Sequence, residues 1–504
     1  MNKECNNNFI SLFDEPNKPL WQKSKPDFQI YQVSSVLTMK KTNSQSIKKG
    51  KFFISNEYLV EVDNKSYKRH IDLNNIILEQ TNQQCTFRLS RNKKQIEFTA
   101  NEQEYQLWFQ LIKKYAIQRS FNEDYKLLKV QGQGNFAKVY KAIGRDNCAY
   151  AVKSFEKKSF KNLTLERDAL KLEISIMRKI QFPGIIRLYE VYETDHHIWL
   201  VTDYLEGGEL FQYLRNQPQG FNEVQVALLM HNLLNSLDYL HCQGIIHRDI
   251  KPENLILRSP INASDICIAD FGLADYYNPE GKYLFKRCGT PGYVAPEILQ
   301  EKNYDYKVDV FSAGILMFIM LSGQSPFQTK SKNELVIKNY NCEINYSINN
   351  LQQKISPEAL QLLMTLLSPN PQTRYNAKQA LCHPWFMKCF TPIYQMNPPQ
   401  LYMPTNMIPQ FQHYPDIFAR SPIMNQFLNQ SISNLSLSGS SSITPSRTQS
   451  NSLQVQKQCK ITIEEDHQDF EVIQEEVCQI HDINKYSINN QRKQTPNQQN
   501  KFTQ

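Results

Sequence analysis

A series of short signatures, glycine-rich or charged and set in apolar sequence, is spread in one order over residues 125–386 and narrows the possible folds sharply. The first is Gly132-Gln133-Gly134-Asn135-Phe136-Ala137-Lys138-Val139, glycines between two strand-like segments. Glycine there lets anionic oxygens approach backbone N–H groups with no Cβ in the way. The second is Ala151-Val152-Lys153. A lysine in an apolar strand is costly unless paired, which asks for a carboxylate on the next helix. Glu173, in Leu172-Glu173-Ile174-Ser175-Ile176-Met177, is the candidate. The third is His247-Arg248-Asp249-Ile250-Lys251-Pro252-Glu253-Asn254, then Asp270-Phe271-Gly272 and Ala295-Pro296-Glu297.

In this order the signatures resemble those of eukaryotic-type serine/threonine protein kinases, and the resemblance covers residues 125–386. It implies an α+β, two-lobed kinase fold using ATP and Mg²⁺. Phosphoryl transfer needs the hydroxyl oriented, the phosphate charge neutralised and metal held between them. By resemblance, Asp249 accepts the substrate proton, Lys251 meets the γ-phosphate, and Asn254 and Asp270 hold Mg²⁺ through hard oxygen ligands. Lys153 and Glu173 form the phosphate-facing ion pair. The resemblance lines the nucleotide site with Gly132, Gly134, Val139, Ala151, Lys153, Asp203, Leu205, Glu209, Ile256 and Asp270. Residues 203–205 form the hinge, with Thr202 at the back of the pocket. Two positions depart from the family pattern: Ala137 replaces the third glycine, and Gln131 replaces the hydrophobic roof over the adenine. Asp309 resembles the aspartate that anchors the catalytic loop, and Arg374 the arginine that pairs with Glu297.

Lys251 and Gly289-Thr290-Pro291-Gly292-Tyr293 resemble serine/threonine rather than tyrosine kinases. Glu209 and Glu253 stand where basophilic kinases meet arginine, so substrates of Arg-x-x-Ser/Thr type are expected. Gly207-Gly208-Glu209-Leu210-Phe211 resembles the calcium/calmodulin-dependent group, yet no basic amphipathic helix of calmodulin-target type follows residue 386. Arg248 beside Asp249 marks a loop that phosphate often organises. Residues 273–288 contain Tyr276, Tyr277 and Tyr283 as their only hydroxyls, and Lys286 stands four before Thr290. Control is therefore expected outside this loop. The alternative reading is a kinase-like scaffold that binds nucleotide without turnover, although no catalytic position is lost.

Outside 125–386 the chain divides into three. Residues 1–30 lack either apolar period and read as a disordered arm. Over 31–118, Phe52-Phe53-Ile54 with Tyr58-Leu59-Val60-Glu61-Val62, and Cys85-Thr86-Phe87-Arg88-Leu89 with Gln95-Ile96-Glu97-Phe98, read as hairpins. Tyr105, Trp108, Phe109, Ile112 and Tyr115 then recur at helical spacing over 102–115. A small β-sandwich or barrel closed by such a helix resembles a pleckstrin-homology domain. By that resemblance Lys40, Lys41, Lys48, Lys49 and Lys51 are candidates for an inositol-phosphate or protein partner. Residues 391–504 are rich in Asn, Gln, Ser and Pro, and read as a disordered tail.

A net charge of +8 over 504 residues does not point to nucleic acid. The longest apolar run, residues 314–321, is too short to span a membrane, and the start lacks a secretory pattern. The 11 cysteines show no zinc-site spacing. A cytoplasmic protein is expected, recruited to a membrane surface through residues 31–118.

Overall fold

The computed structural model describes residues 11–15, 17–26, 32–41, 46–63, 66–133, 137–160, 163–216, 220–260 and 262–396. The tail expected at 391–504 lies from residue 397 onward outside the described residues, and so does Gly134. The chain divides into two compact units, Met1–Glu206 with Ala269–Ala274, and Gly207–Ile268 with Asp275–Gln504.

The first unit opens with seven strands, β1 (Val33–Lys41), β2 (Ile47–Ser55), β3 (Tyr58–Asp63), β4 (Ser66–Asp72), β5 (Ile77–Gln80), β6 (Thr86–Arg91) and β7 (Lys94–Thr99). The turn between β6 and β7 is Asn92-Lys93 with φ of 51° and 65°, the left-handed pair that matches hairpin twist. Helix α1 (Glu102–Lys113) starts where the Asn101 side chain accepts the Glu104 N–H, with acidic residues in its first turn. Its apolar stripe closes over Phe52, Phe87 and Phe98, with Trp108 fully buried. The Trp108 indole N–H donates to Ser35 at 2.9 Å. Truncating such a residue to alanine costs about 3–5 kcal/mol.

After α1 come β8 (Ile117–Gln118), α2 (Phe121–Asp124), β9 (Tyr125–Gln133), β10 (Ala137–Gly144), β11 (Ala149–Glu156), α3 (Leu163–Lys179), β12 (Leu188–Glu193) and β13 (His197–Asp203). All thirteen strands join in one sheet, in the order β4-β3-β2-β1-β7-β6-β5-β8-β12-β13-β11-β10-β9. The link is β8, whose Ile117 and Gln118 pair in parallel with Ile77 and Leu78 of β5 on one side and with Val191 and Tyr192 of β12 on the other. The β-rich region at 31–118 is thus continuous with the strand that carries Lys153.

Residues 11–26 differ from the expected arm. Phe13 is 1% exposed and Leu20 5%, and Gln22 bridges His70 of β4 through both backbone hydrogen bonds. Isolated anchors, rather than a repeating apolar face, hold this segment, and that is why no period marks it.

The second unit holds β14 (Gly208–Glu209), α4 (Leu210–Arg215), α5 (Glu223–Cys242), β15 (Ile245–Ile246), β16 (Leu255–Ser259), β17 (Asn262–Ile268) and β18 (Asp275–Tyr276). It continues with α6 (Pro296–Leu299), α7 (Lys307–Ser322), α8 (Lys332–Asn341), α9 (Leu351–Lys354), α10 (Pro357–Leu366), α11 (Ala377–Leu381) and α12 (Pro384–Met396). Helix α5 begins with a reciprocal Asn222/Gln225 capping box. After its first residue, Lys307, helix α7 is apolar on every side and mostly buried, apart from the charge of Asp309. Glu223 joins α5 to α10 and α12 by accepting from Ser356 at 2.7 Å and from the Trp385 indole at 2.6 Å. Among the described residues no helix is long and apolar enough to cross a membrane.

Candidate active site

In the first unit, β11 sets Lys153 opposite Val139 of β10 and Leu200 of β13. Its ammonium donates to Glu173 of α3 and to Asp270, each at 2.8 Å. Burial pulls Lys153 downward, but Asp270 and then Glu173 outweigh it and hold the ammonium above its ordinary value. Asp270 has a left-handed φ of 57°, uncommon for a residue with a Cβ, and its carboxylate accepts the Gly272 N–H at 3.3 Å. Two carboxylates against one ammonium leave a net negative charge, which suits a divalent cation with oxygen ligands.

The glycine loop enters this unit through Gly132, where an added Cβ would meet no atom within 4 Å. Packing therefore does not require glycine there, and the open space fits the close approach of a phosphate. Val139 and Ala151 are half-buried on the paired strands β10 and β11. Thr202 is buried and donates to the Ala151 carbonyl at 3.3 Å. The Asp203 carboxylate is engaged by the Arg187 N–H at 2.8 Å and the Tyr189 hydroxyl at 2.7 Å, and Leu205 is half-buried. Gln131 donates to the Tyr204 hydroxyl at 3.5 Å.

In the second unit, Asp309 of α7 organises the loop that carries Asp249. Its carboxylate accepts the backbone N–H of His247 at 2.9 Å and of Arg248 at 2.8 Å, and the His241 ring contributes a third contact at 2.9 Å. Burial would raise Asp309, but these partners, His241 foremost, hold it below the usual carboxylate value. The clamp sustains a left-handed φ of 69° at Arg248, a strained conformation that persists only where surrounding contacts fix it.

The next residue, Asp249, receives three donors. Thr290 donates to Oδ1 at 2.7 Å, Asn254 donates to Oδ2 at 2.8 Å, and the Lys251 ammonium lies 3.2 Å from Oδ2. Lys251 also donates to the Thr290 hydroxyl at 2.8 Å. The Asn254 amide nitrogen is turned inward to Asp249, which leaves the amide oxygen as the group suited to a cation. Thr290 was not among the candidate site residues, although Gly289-Thr290-Pro291 held the signal. A Cβ on Gly289, whose φ is 112°, would stand 2.8 Å from the Arg248 carbonyl, so only glycine brings the next residue this close to the loop.

Three further groupings belong to the second unit. Arg248 is buried, donating to the Phe285 carbonyl at 2.9 Å, the Tyr304 hydroxyl at 3.1 Å and Asp275 at 3.2 Å. Glu297 and Arg374 form a buried two-point pair at 2.6 and 3.0 Å. Glu209 pairs with Ile256 across β14 and β16, and the charge of Glu209 reaches Glu253. One Glu253 carboxylate oxygen is buried with no hydrogen-bond partner among the described residues. Burial raises the Glu253 carboxyl, and Asp249 and Glu209 add to the rise.

The predicted site residues therefore fall into two clusters, Lys153, Glu173 and Asp270 in one unit and Asp249, Lys251 and Asn254 in the other. Comparison with known proteins places the same region in a family. The protein kinase domain model matches residues 125–386. Over 271 residues the chain is 38% identical to a probable serine/threonine-protein kinase 2 of Plasmodium falciparum, covering 54% of this chain and 52% of that one. Over 275 residues it is 36% identical to serine/threonine-protein kinase DCLK3 of Mus musculus, covering 54% and 34%. Over 266 residues it is 36% identical to a calcium/calmodulin-dependent protein kinase type 1 of Macrobrachium nipponense, covering 52% and 75%. The chain thus spans about half the length of the Plasmodium relative and a third of the mouse one.

Proposed function

Starting from the premise that the chain belongs to the protein kinase family, we propose that it is an active serine/threonine protein kinase acting on hydroxyls in basic sequence. The observation that carries this reading is the Asp249 carboxylate, held by Thr290, Asn254 and Lys251 at 2.7, 2.8 and 3.2 Å. A carboxylate fixed in this way orients an incoming hydroxyl and accepts its proton. Bound Mg-ATP supplies the γ-phosphoryl group and the cation that offsets its charge. Lys153, kept protonated by Glu173 and Asp270, holds the phosphates. By the family resemblance, the carboxylate of Asp270 and the amide oxygen of Asn254 would be the groups to hold the metal. The Lys251 ammonium, beside Thr290 and Asp249, would offset charge on the γ-phosphate. By the family resemblance, Val139, Ala151 and Ile256 would line the adenine, and the backbone of Asp203 and Leu205 would bind its edge.

Glu209 and Glu253 select arginine three residues before the target hydroxyl. The mutual repulsion of the Glu209 and Glu253 carboxylates supports this, because a guanidinium would offset it. Residues 31–118 form a pleckstrin-homology-like module for recruitment to a membrane or a partner. Seven strands closed by α1 support this, as do Lys40, Lys41, Lys48, Lys49 and Lys51, all exposed on the β1–β2 hairpin. The deciding experiment is Mg-ATP turnover by the full chain on an Arg-x-x-Ser peptide, with Asp270→Asn as the control. Turnover lost in the control is expected; no turnover by the unaltered chain leaves a scaffold instead. Phosphoinositide vesicles offered to the same protein test the recruitment module.

A further inference from the structure

The ion pair between Lys153 and Glu173 depends on where α3 lies, and α3 is held from behind. Lys171 and Arg178 are seven residues apart, two turns on one face of the helix, whereas Glu173 lies roughly 140–160° around from both. Glu173 thus reaches Lys153 while the Lys171/Arg178 face meets the N-terminal part of the chain.

The contacts on that face are specific. Arg178 donates to the carbonyl of Ala116 at 3.1 Å and to the Asn74 side-chain oxygen at 3.4 Å. Ala116 immediately precedes β8, and Asn74 lies between β4 and β5. Lys171 stands 4.0 Å from Glu15. Glu15 belongs to a strap whose two ends are fixed to different elements. At one end the fully buried Glu193 of β12 accepts from the Ser11 hydroxyl at 2.5 Å and the Leu12 N–H at 2.6 Å, with Lys157 at 2.7 Å neutralising it. At the other, Asn92 in the β6–β7 turn donates to Asp14 at 2.9 Å and to the Lys18 carbonyl at 3.0 Å, while Lys18 pairs with Asp72 at 2.7 Å.

We propose that residues 11–118 brace α3 in the position that forms the Lys153–Glu173 pair, and that Arg178 is the positioning residue through which they act. The proposal rests on the kinase reading above. Moving α3 off its seat would strand the Ala116 carbonyl and the partly buried Arg178 guanidinium together, so the helix has one favoured position. Because catalysis requires the Lys–Glu pair in place, a contact that fixes the helix governs turnover without touching either substrate.

The test uses the full chain, with steady-state kinetics on an Arg-x-x-Ser peptide and amide hydrogen exchange of peptides from α3 and α7. Arg178→Met keeps the aliphatic stem and removes the donors. It is expected to lower kcat tenfold or more with peptide KM within twofold, and to speed exchange in α3 at least tenfold while α7 is unchanged. Arg178→Lys, retaining the charge and a single donor nitrogen, is expected to recover a third or more of the lost kcat. If Arg178→Met keeps kcat within twofold, or if exchange rises equally in α7 with no rescue by lysine, the proposal is overturned. Should Arg178→Met not fold, the Asn74→Ala, Glu15→Gln double variant replaces it. A threefold loss of kcat supports the brace and an unchanged kcat overturns it. An unaltered chain with no turnover refutes the kinase reading alone, because the exchange comparison still decides whether Arg178 holds α3.

Discussion

Arg248 and Asp275 form a buried pair at 3.2 Å, and the Tyr283 ring lies 5.2 Å from the same guanidinium. In many kinases this arginine is neutralised by a phosphate on the activation loop. Here a carboxylate, the Phe285 carbonyl and the Tyr304 hydroxyl already meet it. Phosphatase-treated protein is therefore expected to keep at least half its turnover, measured as ATP consumption on a peptide. Asp275→Asn, which leaves a buried charge short of its partner, is expected to cost about 3–5 kcal/mol of stability. A strict requirement for an upstream kinase acting on Thr290 would sink this account.

The Thr290 hydroxyl joins Lys251 to Asp249. Removing it with Thr290→Val leaves Asp249 one donor short and its rotamer less fixed. A fall in kcat of about 10- to 100-fold is expected, in the range for losing one positioning contact. Thr290→Ser keeps the hydroxyl and is expected to stay within fivefold of wild type. Equal rates for valine and serine would show that the hydroxyl does not position Asp249.

In the proposed function the Glu253 carboxylate selects the arginine. Glu253→Gln is expected to raise KM for an Arg-x-x-Ser peptide at least tenfold and to leave KM for the Ala-x-x-Ser peptide within twofold, because a charge-assisted pair is worth about 1.5–3 kcal/mol. Peptide arrays that favour acidic or proline-directed sites in the unaltered chain would overturn the assignment.

His231 of α5 lies against the Phe386 and Phe390 rings, and burial lowers it from 6.5 to about 4. Between those values the unfolded chain binds the proton and the folded chain does not. The stability is present above pH 6.5 and is lost as pH falls toward 4, by on the order of 3 kcal/mol for this group. Thermal unfolding at pH 7 and pH 4.5 should show a smaller drop for His231→Gln than for wild type. Parallel drops would exclude His231 as a source.

The candidate site residues were legible because phosphoryl-transfer chemistry forces short, ordered signatures, and the Lys153 ammonium meets Glu173 and Asp270 at hydrogen-bonding distance. The hairpins and α1 were legible through alternating and helical apolar spacing. The strap was not, because Phe13 and Leu20 are single anchors whose burial depends on surfaces built far along the chain. Nor was the role of β8 visible, since two residues, Ile117 and Gln118, are too few to show a period. Arg178 reads in the sequence as one more charge near the end of a helix; its partners, Asn74 and Ala116, are 104 and 62 residues away.

The two-residue strand β8 also bears on how the chain can be divided. Starting the protein at residue 119 would strip Val191 and Tyr192 of their β8 partners, Ile117 and Gln118, and leave β12 paired on one side alone, with buried Glu193 deprived of Ser11 and Leu12. Bare apolar edges recruit other chains. A gene fragment limited to the catalytic region is thus expected to yield aggregates, and the boundary to respect when dividing the gene is one that keeps the N-terminal strands and the strap with the catalytic region.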